Sequence, residues 1–173
     1  MGAARGVISA RRTNISIRDG ADPSAWRHRL PVVGLALIGC VIATYLTLYQ
    51  WHVTTSAWDP IFGSRSSEAV LTSTISRQLP VPDATLGAFA YLLEAIAAVL
   101  GGSNRYRTMP WVVIVYGAVL GGLAATSVAL VLIQILLVHA FCTLCLCSAA
   151  ISWINAWLGR DEVFAAVDFL KYH

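Results

Sequence analysis

The chain has 173 residues, of which 57% are hydrophobic and 12% charged, and its formal net charge is +3. Soluble domains carry about 25% charged residues, so this composition excludes an ordinary soluble fold and raises the membrane question first. The positive charge sits in arginines that flank apolar segments, which argues against nucleic acid as a partner and points to topology instead.

Residues 1–30 form a basic tail, with Arg5, Arg11, Arg12, Arg18, Arg27 and Arg29 against Asp19 and Asp22. The tail has little periodicity and reads as a cytoplasmic segment that an acidic partner or anionic lipid can order. From Leu30 to Gln50 there is no Asp, Glu, Lys, Arg or His, enough for roughly 30 Å of helix. A first span is therefore expected over 31–51, with Trp26 at the headgroup level and Pro31 at its start. The run begins only after Arg29 and offers no clean small-residue cleavage site, so it reads as a retained span and not as a signal peptide. Cys40 falls near its middle and reads as structural.

Residues 54–83 are too long for a turn and too apolar for a linker. Trp58, Ile61 and Phe62 can dip into the interface. Ser66 or Ser67 can cap a short helix running to Ser76, with Val70, Leu71, Thr74 and Ile75 as its apolar stripe. Pro80 and Pro82 then break the chain. The segment is expected to form a compact, partly helical cap over the mouth of a bundle.

A second span is expected over 84–100, carrying one acid, Glu94, near mid-depth. A carboxylate there is costly and turns towards the bundle interior, but the sequence names no partner for it. Arg105 and Arg107 occupy the short connection that follows. Met109 to Leu158 then contains no Asp, Glu, Lys or Arg over 50 residues, too long for one crossing. Length divides it near Val138 to Phe141 into spans over 111–137 and 141–158. In the third span Gly117 and Gly121 share a face that a neighbour can approach closely, and Gln134 suits an interhelical hydrogen bond. Residues 159–173 are left as a C-terminal tail. The expected fold is an all-α, four-transmembrane-helix bundle with an extracytoplasmic cap. The arginine bias puts both termini in the cytoplasm, and Ser56 and Cys142 outside.

Three of the four cysteines, Cys142, Cys145 and Cys147, lie within six positions at the outer end of the fourth span. Cys142 and Cys145 form a CxxC pair that shares a helix face and can close a disulfide if the first turn distorts. A helix N-terminus favours a thiolate, which makes Cys142 the attacking thiol and Cys145 its resolving partner. Spacing alone leaves a second reading open, in which the cysteines are small, soft packing residues. Zinc is harder to build, because there is no second CxxC and His139 is the one nearby histidine. His139 reads as an interfacial or packing residue. Cys147 faces away from Cys145 and reads as structural.

The pattern resembles the bacterial branch of the vitamin K epoxide reductase family, over roughly Pro31 to Leu158. "SSEAVLTSTIS" is similar to the family's outer-loop segment, "LPVPDATLGAFAYL" to its entry into the second helix, and "FCTLCLCSA" to its active-site helix. The resemblance implies a four-helix membrane enzyme of the bacterial cytoplasmic membrane that relays electrons from thiols to a quinone, taken as a substrate, with no metal. It assigns Cys142 and Cys145 to the quinone-reducing pair, and Ser73 and Tyr91 to contacts with the quinone. An extracytoplasmic thiol or disulfide protein would be the electron-exchanging partner, with membrane lipids around the bundle.

One departure bears on function. Family members carry two further cysteines in the outer loop, whereas Gln50 to Asp83 here contains none. Ser67 stands where the second is expected. Serine neither attacks a disulfide nor forms one, so the usual relay cannot run within this chain. Two functions follow. A partner thiol exchanges directly with Cys142, or the chain is a catalytically silent accessory or structural subunit of a larger membrane complex, holding a lipid or buttressing its neighbours.

Overall fold

The computed structural model describes residues 25–73, 82–102 and 105–172. The arginines of the tail before residue 25, and Thr74, Ile75, Ser76 and Pro80, lie outside the described residues. Among the described residues there are helices and turns and no strand. Four long helices pack side by side: α1 (Trp26–Gln50), α3 (Asp83–Val99), α5 (Pro110–Ile133) and α6 (Thr143–Tyr172). Two short ones, α2 (Ser64–Leu71) and α4 (Arg105–Thr108), lie in the connections. Helix α1 and the run Pro110–Val138 are long and apolar enough to cross a membrane. Leu37, Val41, Phe89, Trp111, Trp157 and Phe164 are exposed on the outside of the bundle, an apolar surface that water does not favour.

Helix α1 starts at Trp26, five residues before the expected Pro31. Proline has no N–H for the carbonyl four residues back, so the turn before it needs another anchor. Arg29 supplies one. Its guanidinium donates to the carbonyls of Ala98 (2.7 Å), Leu100 (2.9 Å) and Gly101 (2.9 Å), satisfying acceptors that the end of α3 leaves without helical partners. At the other end of α1, Gln50 Nε2 donates to Asp83 Oδ1 at 2.6 Å and so ties the exit of α1 to the first turn of α3.

Arg105, in the short connection after α3, is fully buried. It reaches Glu162 of α6 through Nε (2.5 Å) and Nη2 (2.8 Å), and donates to the carbonyls of Ala97 and Leu100. Helix α6 accordingly continues to Tyr172, where a tail from residue 159 was expected. The extra turns carry Glu162 and Val163 onto α4 and α5. A Cβ on Gly117 would lie 2.7 Å from Val163, so that glycine serves contact within the chain. Gly121 faces open space.

Helix α5 begins with Pro110 at its first turn, where the missing N–H is not needed. It runs into a π-helical turn over Gln134–Val138 and ends at His139, whose left-handed backbone (φ 53°) turns the chain. The core mixes alanines with a few larger side chains. Val32, Ala97, Ala98, Tyr116 and Leu120 pack at one end, and Ala36, Ala43, Tyr91, Ala95 and Ile151 at the middle. Leu46, Ala57, Leu71 and Cys142 close the other end.

Candidate functional site

The wide turn ending α5 places Phe141 and Cys142 just ahead of α6. The first N–H groups of any helix lack partners inside it, and here Cys142 stands in the capping position. Its Sγ accepts the N–H of Cys145 at 3.2 Å, its carbonyl accepts the N–H of Leu146 at 3.0 Å, and its own N–H donates to Gln134 Oε1 at 3.3 Å. A sulfur thus does what a serine oxygen does at an N-cap. That geometry brings the two cysteines of the CxxC together on the first turn, both as free thiols. Cys142 is 0% exposed and Cys145 is half-buried.

Cys142 is covered by the connection between α1 and α3. Ala57 and Leu71 pack on it from that connection, with Leu46 below. Asp59 organises the polar side of the contact. Its Oδ1 accepts the N–H groups of Ile61 (3.0 Å) and Phe62 (2.8 Å), the local turn that a short acid makes with the residues after it. The same oxygen accepts the Thr143 hydroxyl at 2.6 Å, and Oδ2 accepts the Thr143 N–H at 2.7 Å and the Ser67 hydroxyl at 2.5 Å. Burial pushes the Asp59 carboxyl up, but the bonds from Ser67, Thr143 and Phe62 outweigh it and hold the group well below the usual carboxylate range. Ser66 adds a second tie, donating to the Phe141 carbonyl (2.7 Å) and accepting its N–H (3.0 Å). The rings of Phe62 and Phe141 lie 5.3 Å apart.

The other residues singled out in the sequence fall as follows. Ser67 is buried and its hydroxyl faces the Cys142 sulfur as well as Asp59; the cap of α2 is Gly63, not Ser66 or Ser67. Ser73 lies two residues beyond α2, with its N–H on the Val70 carbonyl at 3.3 Å. Tyr91 is 1% exposed. Its hydroxyl meets Ser148 Oγ (2.9 Å), Ser152 Oγ (2.6 Å) and the Ser148 carbonyl (2.6 Å). Its ring fills the space over Gly39, where a Cβ would come within 2.6 Å. Tyr91 is therefore joined to α6 one turn past Cys145 and has its hydroxyl occupied. Glu94, left without a partner by the sequence, accepts Asn155 Nδ2 at 2.6 Å. Cys40 Sγ contacts the Ala88 carbonyl at 3.5 Å, and Cys147 is exposed. Among the described residues no three His, Cys, Asp or Glu side chains converge as metal ligands.

Sequence reasoning missed Asp59. Its signal was an acid followed by a turn-forming Pro60, but nothing local could name Thr143 as its partner. With a buried capping thiol, its CxxC mate and a covering connection in place, comparison with known families is informative. The vitamin K epoxide reductase family model matches residues 30–159.

The chain belongs to the vitamin K epoxide reductase family. The match takes in almost all of α1, the covering connection, α3, α5 and the cysteine-bearing half of α6. Comparison with curated proteins found no match. Vitamin K epoxide reductase membership, with the long apolar helices, makes this a membrane protein, and the family's kind of function is that of a membrane thiol-disulfide oxidoreductase.

Proposed function

We propose that this protein takes electrons from an external thiol partner through Cys142 and Cys145 and passes them to a quinone in the bacterial cytoplasmic membrane. The observation that carries the reading is the capping geometry, with the Cys142 sulfur 3.2 Å from the Cys145 N–H at the buried start of α6. In the first half-reaction a partner thiolate attacks the Cys142–Cys145 disulfide at Cys142 and releases the Cys145 thiol. The partner's second thiol then resolves that mixed disulfide, so the partner leaves oxidised and the pair reduced. In the second half-reaction the two thiols give two electrons and two protons to the quinone, yielding the quinol and the Cys142–Cys145 disulfide. A partner must supply the thiols because Gln50 to Asp83 holds no cysteine.

In this reading α1, α3, α5 and α6 all cross the membrane. The arginines of the N-terminal tail and of the connection between α3 and α5 keep both termini cytoplasmic, and the connection over α6 is an extracytoplasmic cap. Ser73 and Tyr91 lie on the quinone side of the pair. Because Tyr91 already engages Ser148 and Ser152, its part is to align α6 with α3. Purified protein in lipid should oxidise a dithiol substrate only when quinone is supplied, and Cys142→Ser should abolish turnover. Equal turnover in wild type and Cys142→Ser would sink the reading. An inert protein that always co-purifies with other membrane chains would favour the accessory-subunit role.

A further inference from the structure

We propose that Asp59 is a latch: it fastens the connection between α1 and α3 to the start of α6, and a thiol reaches Cys142 only when Asp59 releases Thr143. The inference rests on the reading of Cys142 as the exchanging thiol and adds how access to it is controlled.

Disulfide exchange needs a free line of approach to sulfur, and Cys142 is fully buried. Its cover is Ala57 and Leu71 from the connection, so the connection must move before any external thiol can attack. The charged part of what resists that movement is one side chain. Asp59 holds its own turn through the N–H groups of Ile61 and Phe62, α2 through the Ser67 hydroxyl, and α6 through both donors of Thr143. Three pieces of backbone meet on one carboxylate. Hydrogen bonds to an ionised acceptor are about twice as strong as neutral ones, and Asp59 is buried. The Ser66–Phe141 pair is a neutral tie that stays intact if Asp59 is changed. In an Asp59→Asn variant the amide NH2 must face donors where an acceptor is needed, so the ties to α6 cannot all be remade.

The geometry also sets how the latch opens. Asp59 touches Thr143, not a cysteine sulfur, so it acts on Cys142 through position. An incoming protein that lifts the connection competes with Asp59 for the buried N–H of Thr143, and the first turn of α6 is uncovered only while that competitor is bound.

The test measures the alkylation rate of each cysteine in the full-length protein by mass spectrometry, using a small reagent, iodoacetamide, and a bulky maleimide. Removing a nearby charge also alters the thiol's ionisation, but that multiplies both rates equally, whereas opening the cover favours the bulky reagent. In Asp59→Asn the Cys142 rate with the bulky reagent should rise by about tenfold, the scale of one charge-assisted bond, and the bulky-to-small ratio should rise with it. Cys40 and Cys147 should react as in the wild type. An unchanged ratio at Cys142, or a matching rise at Cys40 within the bundle, would overturn the latch. Thr143→Val removes one tie and keeps the carboxylate, and should raise the ratio by a smaller factor of about three. If the Asp59 variant does not fold, an unchanged ratio in Thr143→Val overturns the proposal by itself. Alkylation requires no turnover, so the latch and the quinone chemistry fail separately.

Discussion

Asn155 on α6 donates to Glu94 on α3 at 2.6 Å, and both side chains are fully buried in the bundle. Asn155 also reaches the Val32 carbonyl of α1 at 3.4 Å, so the pair joins three helices. Two acceptor atoms here, Glu94 Oε2 and Asn155 Oδ1, have no hydrogen-bond donor among the described residues. Glu94→Gln keeps the acceptor that Asn155 uses and adds an NH2 that can serve Asn155 Oδ1. It should leave stability unchanged or raise it. Glu94→Ala strands the Asn155 amide and should cost about 1–3 kcal/mol. Unfolding midpoints of the two variants in the same detergent decide the matter, and equal losses would contradict it.

The Arg105–Glu162 pair should behave as a buried ion pair. Arg105→Met leaves Glu162 without its cation and should destabilise by about 3–5 kcal/mol, whereas the double change Arg105→Met, Glu162→Leu should recover much of that loss. Part will persist, because Arg105 also serves the Ala97 and Leu100 carbonyls. A double-mutant cycle by reversible unfolding measures the coupling; strict additivity would show that the pair contributes nothing as a pair.

Asp59 makes stability depend on acid in a defined direction. Its folded-state pKa lies below the unfolded value of about 3.9. The stabilisation is therefore complete above that value and is lost as pH falls towards the folded pKa. Wild type should exceed Asp59→Asn by about 1–3 kcal/mol at pH near 7, with no change in the gap between roughly pH 6 and 8 and a narrowing below about pH 4. Paired melting curves at neutral and acid pH provide the check, and a gap that widens in acid would reverse the sign.

Two glycines on long helices should respond oppositely to alanine. Gly39→Ala drives a methyl to within 2.6 Å of the Tyr91 ring, forcing the ring off Ser148 and Ser152 at about 1–3 kcal/mol. Gly121→Ala enters open space and should be neutral or slightly stabilising through helix propensity. Thermal unfolding separates them. Two equal losses would mean that Gly121 is covered in the folded protein.

Features set by local composition are legible in the amino-acid sequence itself. Apolar length marks out helices, because a charge-free run of some 20 residues has few stable fates other than a long helix. The CxxC spacing predicts two thiols on one turn of a helix start, because that geometry depends on residues three apart. The ends of the helices are less legible. Neither the start of α1 at Trp26 nor the continuation of α6 to Tyr172 is encoded nearby: Arg29 needs the carbonyls of Ala98, Leu100 and Gly101, and Glu162 needs Arg105. The same holds at the cysteines. Periodicity can put Tyr91 on the inner face of its helix, but only packing against Gly39 and α6 decides that its hydroxyl meets serines. Asp59 looks like one loop acid among several, because a carboxylate's role is set by the donors that reach it. Its decisive donors belong to Thr143, 84 positions along the chain, and only the folding of the first connection onto the start of α6 brings them together.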